Sequence, residues 1–223
     1  DHIDWVATRL RAHTDFGPPS WAGGVGLAAL SSRKPRTVAW HAMPKATSAM
    51  NRFLLHAIYE FGGTELSVFS THTEWFGDPG RQTQYVAAKA KAAAASGPVI
   101  VLGDFNLEPD GANNNAPNAS SLEVMLSGGV LDSVTPTSCD GPPPAGHLCW
   151  SPFETVMVDT KCRPCQHYQL DYIFYSPRWL TLVDGSALAV DGALDKGGWC
   201  SDHQPLVATF QLTQEALGLR RLA

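Results

Sequence analysis

Val99-Ile100-Val101-Leu102-Gly103-Asp104-Phe105-Asn106 is the stretch on which the reading of this chain turns. Four consecutive apolar residues, three of them β-branched, predict a strand covered on both faces. The strand runs straight into Gly-Asp-x-Asn. Residues two apart on an extended chain point to the same side, so Asp104 and Asn106 set a carboxylate and a carboxamide together at the strand end. Gly103 lets another group approach the backbone closely. By itself an Asp or Asn after a strand is usually a turn device.

Similar polar clusters close other strands. Leu170-Asp171-Tyr172-Ile173-Phe174 holds an aspartate in an otherwise apolar strand, where an unpartnered carboxylate is costly to desolvate. The expected partner is His203 in Ser201-Asp202-His203-Gln204-Pro205, because a carboxylate fixes the tautomer of an imidazole and raises its basicity. Phe69-Ser70-Thr71-His72-Thr73 ends a further strand on a histidine. One such histidine is commonly structural. Four polar clusters on four strand ends point to convergence at one sheet edge.

Around them the chain reads as alternating elements. Ile3, Val6, Ala7 and Leu10 predict a helix from Asp1, the stretch from Asp15 to Gly24 a loop, and Val25 to Leu30 a buried strand. Phe53–Tyr59 and Leu66–Ser70 predict an antiparallel pair turned at Gly62-Gly63. Asp78-Pro79 caps a helix that runs to Ser96 and stops at Gly97-Pro98. Ser120-Ser121-Leu122-Glu123 has the form of a capping box for a short helix closed by Gly128-Gly129. Leu206–Leu212 is expected as one closing strand. No repeat or boundary divides residues 1–223, which read as a single domain.

In this order, Thr71-His72, Gly103-Asp104-Phe105-Asn106, Leu170-Asp171-Tyr172 and Ser201-Asp202-His203 resemble the endonuclease/exonuclease/phosphatase superfamily, the fold of DNase I and of the magnesium-dependent sphingomyelinases. Gly23-Gly24 with the following strand to Ser32, and Arg81 with Gln84, are similar to further family segments. The resemblance implies an α/β fold: a four-layer sandwich of two packed mixed β-sheets flanked by helices. It also implies roles. His203 would be the general base for water, Asp171 would orient it, and Asp104 and Asn106 would position the nucleophile. His72 would bind phosphate or protonate the leaving group, and Asp202 would lie at Mg²⁺. The chemistry implied is in-line attack of water on a phosphodiester with Mg²⁺ neutralising the developing charge.

Asn113-Asn114-Asn115, the helix after it and Cys149-Trp150-Ser151-Pro152 resemble the bacterial-type neutral sphingomyelinases, implying a sphingomyelin-like phosphodiester lipid as substrate. The Gln-Glu dipeptide that supplies the superfamily's main metal ligand early in the domain has no counterpart there, nor has the Asn-bearing strand before it. The expectation is therefore a domain lacking its first strands. Three alternatives stand: a segment supplied from elsewhere, with a protein partner covering the open edge; a catalytically inactive domain serving as a structural subunit; or a substitute ligand.

The 223 residues include 16 basic and 21 acidic side chains, a net charge of −5, which disfavours a nucleic-acid partner held by phosphate neutralisation. No apolar stretch is long enough for a membrane span. Cys139, Cys149, Cys162, Cys165 and Cys200 are odd in number, so one is left over. Disulfides across Cys139–Cys165, in a secreted or otherwise oxidising compartment, are favoured over zinc. Asn118-Ala119-Ser120 is a glycosylation sequon. Trp150, Phe153 and Trp179 are candidates for a peripheral membrane contact, and each is equally well a core residue.

Overall fold

A computed structural model of the chain describes residues 2–18, 26–46, 50–74, 79–106, 119–134, 171–183, 188–189 and 206–218. In chain order the elements are α1 (His2–Leu10), β1 (His13–Phe16), β2 (Ala28–Ser31), β3 (Thr37–Ala42), β4 (Phe53–Phe61), β5 (Thr64–His72), α2 (Pro79–Ala93), β6 (Val99–Asp104), α3 (Ala119–Leu126), β7 (Asp132–Ser133), β8 (Asp171–Tyr175), β9 (Leu180–Leu182), β10 (Leu188–Ala189), β11 (Leu206–Val207) and β12 (Phe210–Leu212).

Six strands form a mixed sheet in the order β3-β4-β5-β6-β8-β7. β5 and β6 are its parallel pair, joined through α2, and the other neighbours are antiparallel. The register fixes both faces. Ser67, Phe69 and Thr71 align with Val99, Val101 and Gly103, and Val101 and Gly103 align in turn with Phe174 and Tyr172. This face packs on α2 and α3 through Phe69, Tyr85, Ala88, Ala92, Phe105, Met125 and Phe174. Arg81, Gln84, Tyr85, Ala88 and Ala92 recur at helical spacing as the buried stripe of α2. Phe105 sits edge-on to Phe174, ring centroids 5.0 Å apart, and Tyr172 stacks on Phe174 at 5.4 Å.

The opposite face packs Ile173, Ile100, Leu102 and Tyr175 against Leu182, Leu206 and Phe210, which belong to the β9–β12 and β10–β11 pairs. The β1–β2 hairpin adds another two-stranded piece, with the Trp40 ring lying where a Cβ on Gly17 would be. Helices on one face and strands on the other give the expected layered α/β sandwich.

Several boundaries differ from expectation. β1 takes His13–Phe16, so a strand enters the segment expected as loop from Asp15, because it pairs with β2. Of the strand expected at Val25–Leu30, Val25 lies outside the described residues, and β2 runs Ala28–Ser31. α2 ends at Ala93, three residues before Ser96. α3 begins at Ala119, one residue before the expected start at Ser120. The closing strand is two: Leu206–Val207 pairs with β10 and Phe210–Leu212 with β9, one apolar run serving two ladders.

Candidate active site

The C-terminal ends of β5 and β6 and the N-terminal end of β8 meet at one edge. His72 is in register with Asp104, and Asp104 with Asp171. Side chains in register on neighbouring strands share a face, so His72, Asp104 and Asp171 form one row across three strands. His72 Nε2 lies 3.3 Å from Asp104 Oδ2, with the imidazole 44% exposed and the carboxylate 17%. The exposed ring has solvent on one side and a carboxylate on the other.

Behind this row the backbone makes an unusual turn. Gly103 adopts φ +136°, and a Cβ there would collide with the carbonyl oxygen of Thr71. Asn106 adopts φ +48°, a left-handed conformation that Asn tolerates better than most residues. Its backbone N–H donates to Asp104 Oδ1 at 2.8 Å, and its Nδ2 donates to the Thr73 carbonyl at 3.0 Å. Asn106 is 7% exposed, and its carboxamide is held rather than free to rotate. Asp104 is thereby held at both oxygens.

The first turns of α2 tie these strand ends together. Arg81 Nη1 donates to the Asn106 carbonyl at 2.5 Å. Gln84 Oε1 accepts from Glu74 N at 2.8 Å, and Gln84 Nε2 donates to the Pro44 carbonyl at 2.9 Å. One buried side chain thus links the segments that follow β3 and β5. Thr73 Oγ1 and the Tyr85 phenol both donate to the Phe105 carbonyl. Burial pushes the Tyr85 phenol well above its ordinary range, and the nearby Asp104 adds to this against the opposing Arg81 charge and Thr73 hydroxyl. The phenol therefore stays a donor at any working pH.

Of the residues singled out from sequence, the structure brings His72, Asp104, Asn106 and Asp171 to one edge, with Arg81 and Gln84 beneath them. The imidazole beside a described carboxylate is His72, whose neighbour is Asp104. His203 and Asp202 lie outside the described residues, as do all five cysteines, Asn118, Trp150 and Phe153. Trp179 is half-buried under the Arg178 guanidinium, 4.5 Å from the ring centroid. The chain's one Gln-Glu pair, Gln214-Glu215, is elsewhere: Glu215 accepts from Arg178 Nε at 2.8 Å, beyond the far end of β8.

Sequence reasoning did not find Thr73, Tyr85 or the buried Arg52–Glu74 pair, Nη2 to Oε1 3.5 Å. The one available signal for Tyr85 was its place beside Gln84 in the apolar stripe of α2.

Asp104, Asn106 and Asp171 carry oxygen donors of the kind a hard divalent cation takes. Asp104, however, already serves the Asn106 N–H and His72, and among the described residues no three His, Cys, Asp or Glu side chains converge as metal ligands. The described residues by themselves do not make a Mg²⁺ site. Among them, too, no helix is long and apolar enough to cross a membrane.

Comparison with known proteins agrees with this geometry. Human Nocturnin is 30% identical over 127 residues, covering 55% of this chain and 26% of that protein, so the match spans about a quarter of its length. The human Nocturnin catalytic domain with bound sulfate superposes with a TM-score of 0.64 at 23% identity, covering 96% of this chain and 76% of that one. D. rerio TDP2 complexed with a single-strand DNA product gives 0.68 at 20% identity, covering 94% and 81%. ANGEL2, a 2′,3′-cyclic phosphatase in complex with adenosine-2′,3′-vanadate, gives 0.62 at 17% identity, covering 94% and 77%. These likenesses are of the DNase I-like fold. The model of the Endonuclease/Exonuclease/phosphatase family matches residues 4–203, a span that takes in every strand end of the site, and the chain belongs to that family.

Proposed function

We propose that the chain is a divalent-metal-dependent phosphodiester hydrolase whose site is the row His72, Asp104 and Asp171 with Asn106 behind it. The observation that carries the reading is the His72–Asp104 pair, an exposed imidazole 3.3 Å from a carboxylate held at both oxygens. With Nε2 turned to Asp104, such an imidazole can hold a proton at Nδ1 against a phosphoryl or leaving-group oxygen, while Asp104 stabilises its charged form. Asp171 stands next in the row. In this reading it orients His203, which takes the proton from the attacking water. Asn106, anchored through Nδ2, presents its remaining amide atoms to the reacting group.

Hydrolases of this family generally depend on a divalent cation, and Mg²⁺ is the one we propose here. Its ligands would have to include groups outside the described residues, Asp202 among them.

Two substrate classes compete. The DNA product in TDP2 and the adenosine-2′,3′-vanadate in ANGEL2 favour a phosphoester carried on a nucleotide. The sphingomyelin-like reading rests on the segments around Asn113–Asn115 and Cys149–Pro152, outside the described residues. The nucleotide class has the support of relatives, and we place it first.

The test is turnover of bis-p-nitrophenyl phosphate, a dinucleotide, a 2′,3′-cyclic nucleotide and sphingomyelin vesicles, with Mg²⁺ titrated from zero. Mg²⁺-dependent turnover lost in both Asp104→Asn and His203→Ala supports the reading, and the ratio among substrates selects the class. Folded chain that turns over none of them at millimolar Mg²⁺ overturns it in favour of a structural subunit.

A further inference from the structure

The geometry points to Tyr85 and Thr73 as positioning residues that hold the Phe105–Asn106 peptide in the one orientation that aims Asp104. This rests on the hydrolase reading above.

The peptide between Phe105 and Asn106 is gripped at both ends. Its carbonyl oxygen accepts from two side-chain hydroxyls, Thr73 Oγ1 at 2.6 Å and the Tyr85 phenol, which together occupy its two lone pairs. Its N–H donates to Asp104 Oδ1 at 2.8 Å, leaving Oδ2 toward His72. Rotating this peptide about its long axis would exchange oxygen and N–H. Asn106 would then leave the left-handed region, and Asp104 would lose the donor that orients it. Phe105, Thr73 and Tyr85 are each 0% exposed, so no water replaces a missing hydroxyl without entering the core.

Among the described residues, the Tyr85 hydroxyl meets only the Phe105 carbonyl and the Thr73 hydroxyl that shares it. Its ring packs 5.9 Å from Phe105 and fills the stripe of α2, a role phenylalanine would serve equally. Thr73 directly follows His72, the last residue of β5, so its hydroxyl also pins the exit of that strand.

Tyr85→Phe and Thr73→Val test this, with Thr73→Ser as the variant that restores the hydroxyl. Each deletion should lower kcat roughly ten- to a hundredfold with KM within about twofold, as expected for displaced reacting groups. Because both hydroxyls act through one carbonyl, the double variant should lose less than the product of the two. Independently of turnover, amide exchange at Asn106 should quicken about tenfold in Tyr85→Phe, while the melting temperature falls by only about 2–4 °C for the one hydrogen bond lost.

A kcat loss that simply follows melting temperature, fully multiplicative losses in the double variant, or unchanged exchange at Asn106 would overturn the inference. If the parent chain shows no turnover, the hydrolase reading fails by itself, and the exchange arm still decides whether the hydroxyl pair holds the peptide.

Discussion

His72 and Asp104 stand opposite each other on the parallel strands β5 and β6, Nε2 to Oδ2 3.3 Å, and the pairing exists because the α2 crossover sets those two strands in that register. A one-residue slip would send one of the two side chains to the other face of the sheet. Replacing Asp104 by Asn keeps the shape and the acceptor for the Asn106 N–H and removes only the charge beside the imidazole. Turnover should fall by about 10²–10⁴, while unfolding free energy changes by less than about 1 kcal/mol. Steady-state kinetics and urea denaturation on the same preparation check both halves; equal losses of stability and activity would contradict the assignment.

Gly103 tests the backbone under that pair. At φ +136° with Thr71 O where a Cβ would be, Gly103→Ala must displace β5 from β6. A loss of at least about 3 kcal/mol is expected. Gly63 is the control: its φ is +82° but nothing lies within 4 Å of an added Cβ, so Gly63→Ala should cost only the conformational term of about 1 kcal/mol. Thermal melts of the two variants should separate them clearly.

What was legible in the sequence was whatever a local pattern encodes. The unbroken apolar run at Val99–Leu102, the Gly62-Gly63 turn and the Gly97-Pro98 stop behind α2 each announce one element, and each element is present. β3 was not legible, because Thr37–Ala42 lies at the sheet edge, half-exposed on both faces, and shows no clean alternation. The same holds for the site. Asp104, Asn106, Asp171 and His72 show themselves as polar groups on apolar strand ends. That His72 neighbours Asp104, and that Tyr85 serves the Phe105 carbonyl, depend on register and on helix placement, which no window of sequence contains.

Arg52 and Glu74 were invisible for the same reason, being 22 positions apart yet 5% and 4% exposed as a pair. Arg52 Nε is buried without a hydrogen-bond partner, so the pair is incompletely satisfied. Arg52→Met should cost about 3–5 kcal/mol, chiefly because the buried Glu74 carboxylate then loses the guanidinium charge beside it. Arg52→Met with Glu74→Met should regain part of that loss, since two apolar side chains remove the charge altogether. Urea unfolding of both single variants and the double variant decides it; a double variant as unstable as the sum of both singles would show that the two side chains are not coupled, and the expectation would fail.

The last prediction concerns pH. His41 on β3 and His56 on β4 have ring centroids 6.0 Å apart, and His56 stacks on Phe69 with Nε2 3.2 Å from Ser67 Oγ. Both imidazoles titrate below the ordinary 6.5: burial is the main cause for each, with Lys91 adding for His41, and His41 then Lys91 for His56. The unfolded chain therefore binds more protons than the folded one between the lowered values and 6.5, and stability rises with pH through that window. The contribution is fully present above about 6.5 and is lost as pH falls through the folded values. Because both rings are partly exposed the effect is modest, and it should appear as a urea midpoint that drops between pH 7.5 and 5. Replacing His41 by Gln removes one of the two charges that would meet there. The variant's midpoint should fall less steeply over the same range; an equal slope would place the acid sensitivity elsewhere in the chain.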